Sequence, residues 1–229
     1  MGVQPTAIVY TTAGGTQRTA ASTARPTLTV RAVLALTSQP LKGLDVRTCA
    51  EAPCNIPFSG GTTDENGVTK LSSWGSAVTI SGSSSDSYLT YPLNVFTVST
   101  SATTLDAEVY NDVALVEAAQ LAAVPHVDGM GTVTTRVVDC AGAPAAGVAM
   151  LLPGADERTV SLYHEGDQQL ATGHGETGVS GRAMVLNVRA GHFVLFAQDL
   201  RTGRQVATFS GYVPPNGVAH AELGPGVAK

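Results

Sequence analysis

At 229 residues, with a net charge of −5 and only 14% charged side chains, the chain is too sparsely charged for an acidic disordered tail. It also lacks the basic run or Arg cluster of a nucleic-acid or anionic-membrane surface. Its longest apolar stretch, Val113 to Val124, is broken by Glu117 and Gln120 and falls short of the roughly 18 residues a membrane-spanning helix needs.

The first 25 residues contain one β-prone run, Thr6-Ala7-Ile8-Val9-Tyr10, followed by a Gly, Thr and Ala-rich stretch. Such a run is expected to act as an arm, or as a strand that adds to the free sheet edge of a neighbouring molecule. Met1-Gly2 is not followed by a charged and then apolar leader. An exported protein would therefore be represented here by its mature part.

Residues 26–108 read as a first β module. Leu28 to Leu36 is an apolar, β-branched run of strand length, followed by Pro40-Leu-Lys-Gly43 and a second strand through Val46. Pro sets φ at the first central turn position and Gly accepts angles that a side chain would forbid. Cys49-Ala-Glu-Ala-Pro53-Cys54 is a tight loop in which the thiols could be bridged, free, or half of a metal site. Thr63-Asp-Glu-Asn-Gly67 is a turn into the strand Val68 to Leu71. Gly75 then leads into Ala77 to Ile80. Asp64 and Asn66 offer oxygen ligands, yet the remaining ligands of a calcium loop are missing. Trp74, Tyr88 and Tyr91 could form a sugar-stacking platform; packing in the core is the alternative for each.

Residues 109–129 form the connector, with the one helical pattern of the chain. Asn111 or Asp112 can cap it, Val113, Val116, Gln120 and Val124 mark its faces, and Pro125 stops it.

Residues 130–226 repeat the order of the first module. Gly131 to Val138 matches the first strand, Pro144-Ala-Ala-Gly147 the first turn, and Thr177-Gly-Val-Ser-Gly181 the second. Ala183 to Val188, Gly191 and Phe193 to Ala197 follow in the same sequence. About ten extra residues between the turns predict a longer surface loop over 156–174, flanked by His164, His174 and Glu176, which are expected to be surface polar groups, with a metal site as the alternative. Cys140 is expected to be a small buried residue. His192 is expected to face solvent, and His126 and His220 have no partner that spacing identifies.

The second copy resembles the transthyretin-like superfamily, in particular the carboxypeptidase regulatory-like modules repeated in bacterial surface proteins. The residues that carry the likeness are Gly131-x-Val133 to Asp139, Pro144-x-x-Gly147-Val148, Thr177 to Gly181, and Val188-Arg-Ala-Gly191-His-Phe-Val194. The first copy resembles these modules more loosely. The resemblance implies an all-β chain: two tandem Ig-like Greek-key sandwiches with a short helix between them.

Hydroxyisourate hydrolases of that superfamily begin with a strand similar to Thr134-Thr-Arg136-Val-Val-Asp139. Their chemistry needs a histidine where Arg136 stands and a Tyr-Arg-Gly-Ser terminus, which this chain lacks. Without that imidazole a general base near neutral pH is missing. Adhesin modules of the Cna-B type crosslink a Lys to an Asn, but Lys42 lies in a turn and the second copy has no internal Lys. There is no Gly-x-Ser-x-Gly elbow and no phosphate loop.

The expectation is thus an exported structural or interaction protein, extracellular or at the cell surface, with no catalytic residues, cofactor or metal. Its partner would be protein, through self-association or a surface partner, with neither nucleic acid nor membrane insertion. A glycan or cell-wall polymer binding module is the rival reading, and a metal-dependent hydrolase a distant third.

Overall fold

The computed structural model describes residues 9–10, 18–19, 27–35, 37–72, 75–83, 89–99, 102–165, 170–171 and 175–224. Thr6, Ala7, Ile8, Trp74, Tyr88 and His174 lie outside them. Val9–Tyr10 (β1) and Arg18–Thr19 (β2) pair as an antiparallel ribbon that joins neither of the larger sheets.

The first sandwich comprises β3 (Thr27–Leu34), β4 (Asp45–Cys49), β5 (Pro57–Thr62), β6 (Val68–Ser72), β7 (Ala77–Ser83), β8 (Thr90–Thr97) and β9 (Thr104–Val109). Alternation places the buried side chains. On β3, Leu28, Val30 and Ala32 point inward between Thr29 and Arg31. Sheet β6-β3-β9 faces β8-β7-β4-β5 across a core that includes Leu44, Val46, Leu71, Ile80 and Phe96.

Helix α1 (Asp112–Leu121) follows. Asn111 is its cap, with the side chain accepting from the Ala114 amide at 2.8 Å.

The second sandwich comprises β10 (Met130–Val137), β11 (Val148–Leu151), β12 (Val160–His164), β13 (Leu170–Ala171), β14 (Arg182–Arg189), β15 (Gly191–Asp199), β16 (Arg204–Val213) and β17 (Val218–Leu223). Strands β13-β12-β14-β10-β17 face β11-β15-β16 over Val133, Val185, Leu195 and Leu223.

Among the described residues the fold is therefore all-β with one short helix, and the duplication reaches individual hydrogen bonds. The Ala32 amide donates to Gly67 O at 2.8 Å, and the Val137 amide to Gly181 O at 2.7 Å. The Thr63 hydroxyl donates to Leu41 O and accepts from the Leu44 amide. The Thr177 hydroxyl does the same with Ala145 O and the Val148 amide. Gly67 and Gly181 have φ of +72° and +66°, and a Cβ on either would collide with the backbone oxygen of Ala32 or Val137.

The copies differ after their second strand. In the first, β5 pairs with β4. In the second, β12 pairs with β14, so the segment expected to be a surface loop widens the opposite sheet instead.

The modules join through that sheet. β8 pairs in parallel with β17, with Asn94, Val95 and Phe96 opposite Val218, Ala219 and His220. A nine-stranded sheet results, spanning both sandwiches. Phe96, on the core side of the first sandwich, stacks on His220 with ring centroids 4.0 Å apart. The core face of the first sandwich thus continues as the outer face of the second. Helix α1 covers part of that outer face, placing Leu115, Ala118 and Ala119 on Leu162, Met184, Leu186 and Val218. Removing this apolar surface from water, at about 25 cal/mol per Å², ties the connector to the second module.

Candidate functional site

Pairing between β8 and β17 stops at Phe96 and His220, although β17 continues to Leu223 alongside β10. A cavity of about 1000 Å³ opens at this divergence. It is lined by β9 (Asp106, Glu108), the outer face of the second sandwich (Arg136, Arg182) and the rim of β16 (Phe209 to Tyr212).

A polar network forms its inner end. The Asn94 amide group donates to Pro92 O at 2.8 Å and to Tyr110 O at 3.2 Å, which fixes its oxygen as an acceptor. That oxygen accepts from the Tyr110 amide at 3.2 Å and from His220 Nε2 at 2.9 Å. His220 Nδ1 therefore accepts from the Thr134 hydroxyl, 2.7 Å away. Burial pushes the His220 imidazole down to about 3, so it is neutral near pH 7. Burial, helped by Glu108, also drives the Tyr110 phenol well above its usual range.

Across the outer face runs a row of charged and polar groups. Arg136 of β10 stands opposite Arg182 of β14 and, on its other side, opposite Glu222 of β17. His164 ends β12, one residue beyond the Tyr163–Ala183 pair and so beside Arg182. The Arg182 guanidinium pairs with the Glu108 carboxylate of the overlying β9. His164 is 1% exposed, and its Nδ1 has no hydrogen-bond partner among the described residues. Burial, and then the charge of Arg182, lower the His164 imidazole to about 4.

The residues singled out from sequence fall in different places. Cys49 and Cys54 are disulfide-bonded. Val9 and Tyr10 lie in the detached ribbon. Tyr91 is 2% exposed and packs in the first core with its ring turned away from solvent, so it offers no face to a sugar. Cys140, expected inside, is exposed, because it sits in a turn after β10 held by the Asp139 carboxylate. His164, expected on a surface loop, is buried because the loop is a strand. His192 is exposed and meets Tyr212 edge-on. His220 was not distinguishable by spacing. Its partners Asn94 and Thr134 come from both modules and are far away in sequence. Among the described residues, no group of three or more His, Cys, Asp or Glu could hold a metal ion. No helix there is long and apolar enough to cross a membrane.

No protein-family model matches the chain, and no curated protein matches it. Solved structures that align with this chain at low scores include a streptococcal ancillary pilin. It is 11% identical at a TM-score of 0.27, with 91% of this chain covered and 64% of that one, under two thirds of its length. They also include GBS52, the minor pilin of Streptococcus agalactiae (14% identity, 89% and 97% covered, TM-score 0.29). A third is a family 26 carbohydrate-binding module from Eubacterium rectale in complex with maltoheptaose (11%, 86% and 93%, 0.32). At these scores the likenesses assign no function to this chain.

Proposed function

We propose that the protein is a non-catalytic structural subunit, extracellular or at the cell surface, which self-associates by strand addition. The N-terminal run Thr6–Tyr10 of one copy pairs with the free edge of β16 in the next. The observation that carries this reading is β16 itself. It has ten residues, more than any other strand in the described structure, yet it bonds to a neighbour on one side only. It is exposed or half-exposed from Arg204 to Tyr212. After Arg204 it holds no charge, and it contains no Lys or Pro, the usual devices that keep edges from pairing. The other edge at the junction is treated differently, since the Asn94 carboxamide occupies both backbone groups of Tyr110 just past β9.

Two further features fit. The β1–β2 ribbon pairs with no strand of either sandwich, which leaves it available as a donor arm. The Cys49–Cys54 bond suits an oxidising compartment. Head-to-tail strand addition is a heterologous contact, which propagates rather than closing unless the rotation happens to form a ring.

Light scattering over a concentration series tests the proposal. The full chain should grow in mass, and the chain lacking residues 1–25 should remain monomeric. Thr208→Lys, which charges the acceptor edge, should also block growth. Identical masses for all three proteins would end the proposal.

A further inference from the structure

The row of cationic side chains under β9 is hard to explain as a device for sheet stability. Like charges placed directly opposite on adjacent strands destabilise a sheet, and Arg136 and Arg182 are such a pair. One of them is neutralised directly, Arg182 by Glu108. Arg136 has no ion pair within 4.0 Å among the described residues, although Glu222 is its cross-strand neighbour. Beside them His164 is buried with an unpartnered ring nitrogen. A fold that keeps an unpaired guanidinium next to another, at the mouth of a 1000 Å³ cavity, has left a position for an anion.

We propose that this cleft binds a sugar acid, with the ligand carboxylate taken by Arg136 and the sugar hydroxyls by the surrounding carboxylates. A planar guanidinium matches a carboxylate through two parallel N–H donors. Glu108 already pairs with the neighbouring Arg182 through one guanidinium nitrogen, so a carboxylate can approach this face. Asp106, Glu108 and Glu222 line the same space and are acceptors suited to hydroxyl donors. Their charge disfavours a polyanion of high density such as a phosphate chain. It also disfavours a bare small anion, which would bring no hydroxyls to satisfy them. The cavity lies at the upper end of the usual 300 to 1,000 Å³ of ligand sites and admits one to three sugar rings. This inference is argued from Arg136 and not from the strand-addition reading, although the rim of β16 lines the same cavity.

Titration calorimetry with trigalacturonic acid, its fully methyl-esterified form, and a tripeptide in free-acid and amidated forms tests it on the full chain. The acid sugar should bind, the ester at least tenfold more weakly, and Arg136→Gln should weaken the acid by tenfold or more. Arg136 is exposed and makes no ion pair among the described residues, so its replacement should leave the fold intact, which the thermal midpoint checks. Equal binding of acid and ester, acid binding untouched by Arg136→Gln, tighter binding of the free-acid tripeptide, or no binding at millimolar sugar would each overturn the proposal.

Discussion

The Asn94 carboxamide accepts the Nε2 proton of His220 across the seam between the two modules, while the same side chain pairs with the amide and carbonyl of Tyr110. One residue therefore links β8, β17 and the end of β9. Asn94→Ala would orphan the Tyr110 backbone groups and the His220 donor together. A buried group left without a partner costs about 1–3 kcal/mol, so a loss of about 3 kcal/mol is expected in urea denaturation. Asn94→Asp should recover little, since a carboxylate cannot donate to Pro92 O and Tyr110 O. A loss below about 1 kcal/mol for Asn94→Ala would mean that the network contributes little to the joint.

Gly67→Ala and Gly181→Ala make a paired test of the duplication. Each glycine is left-handed, and each Cβ would strike the backbone of the first strand of its own module. The left-handed angle costs about 1–2 kcal/mol and the forced shift about 1–3 more. Each variant should lose about 2–5 kcal/mol. Because the threonine bonds and the amide bonds from the first strand match in the two turns, the losses should agree to within about 1 kcal/mol. One large and one negligible loss would show that the two turns are not equivalent in energy.

The cysteines give a chemical readout. In the native protein a thiol reagent should label one position, Cys140, which is exposed, while Cys49 and Cys54 remain unreactive until reduction. Mass spectrometry should find one adduct before and three after treatment with a reductant and denaturant. The bridge closes a loop of sequence separation 5, and chain-entropy arguments give a stabilisation of about 2 kcal/mol for so short a loop. Three adducts without reductant would remove the bridge and the compartment argument with it.

What was legible in the sequence was the punctuation. Pro40 to Gly43, Pro144 to Gly147, and the Thr-to-Gly turns at 63–67 and 177–181 depend on φ and on a threonine hydroxyl, both local properties that composition displays. The seam was not legible, because Asn94, Thr134 and His220 meet only after β8 and β17 pair across the modules. Residues 156–174 read as a loop because Glu, Asp, Gly and His dominate their ends. Leu162 packs with α1 on the outer face, a surface that exists only once the helix has docked. The Arg136–Arg182 pairing depends on register, which no single strand specifies.

Acid should weaken the fold through its two buried imidazoles. Each has an unfolded value near 6.5, whereas burial sets His164 at about 4 and His220 at about 3 in the native protein. Both are neutral when folded, so below pH 6.5 the unfolded chain binds more protons and the native state loses stability as pH falls. The loss begins near 6.5, continues to about 4 for His164 and to about 3 for His220, and is absent above 6.5. The upper limit is about 1.4 kcal/mol per pH unit for each imidazole, reduced to the extent that water in the cavity reaches His220. Asp156 and Asp199, whose carboxyls are held below their ordinary value, add loss in the same direction only below about pH 4. Arg158 hydrogen bonds lower the first, and local hydrogen bonds outweigh desolvation at the second. His164→Leu separates the contributions. It removes an unpartnered buried nitrogen, so stability at pH 7 should hold or rise, while the profile between pH 6.5 and 4 should flatten by up to one proton. His220→Gln should cost stability at pH 7 through Asn94 and Thr134 and flatten the profile from about pH 6.5 down to about 3. Calorimetric profiles that stay parallel to the parent chain from pH 7 to 4 would mean that neither imidazole is held neutral by burial.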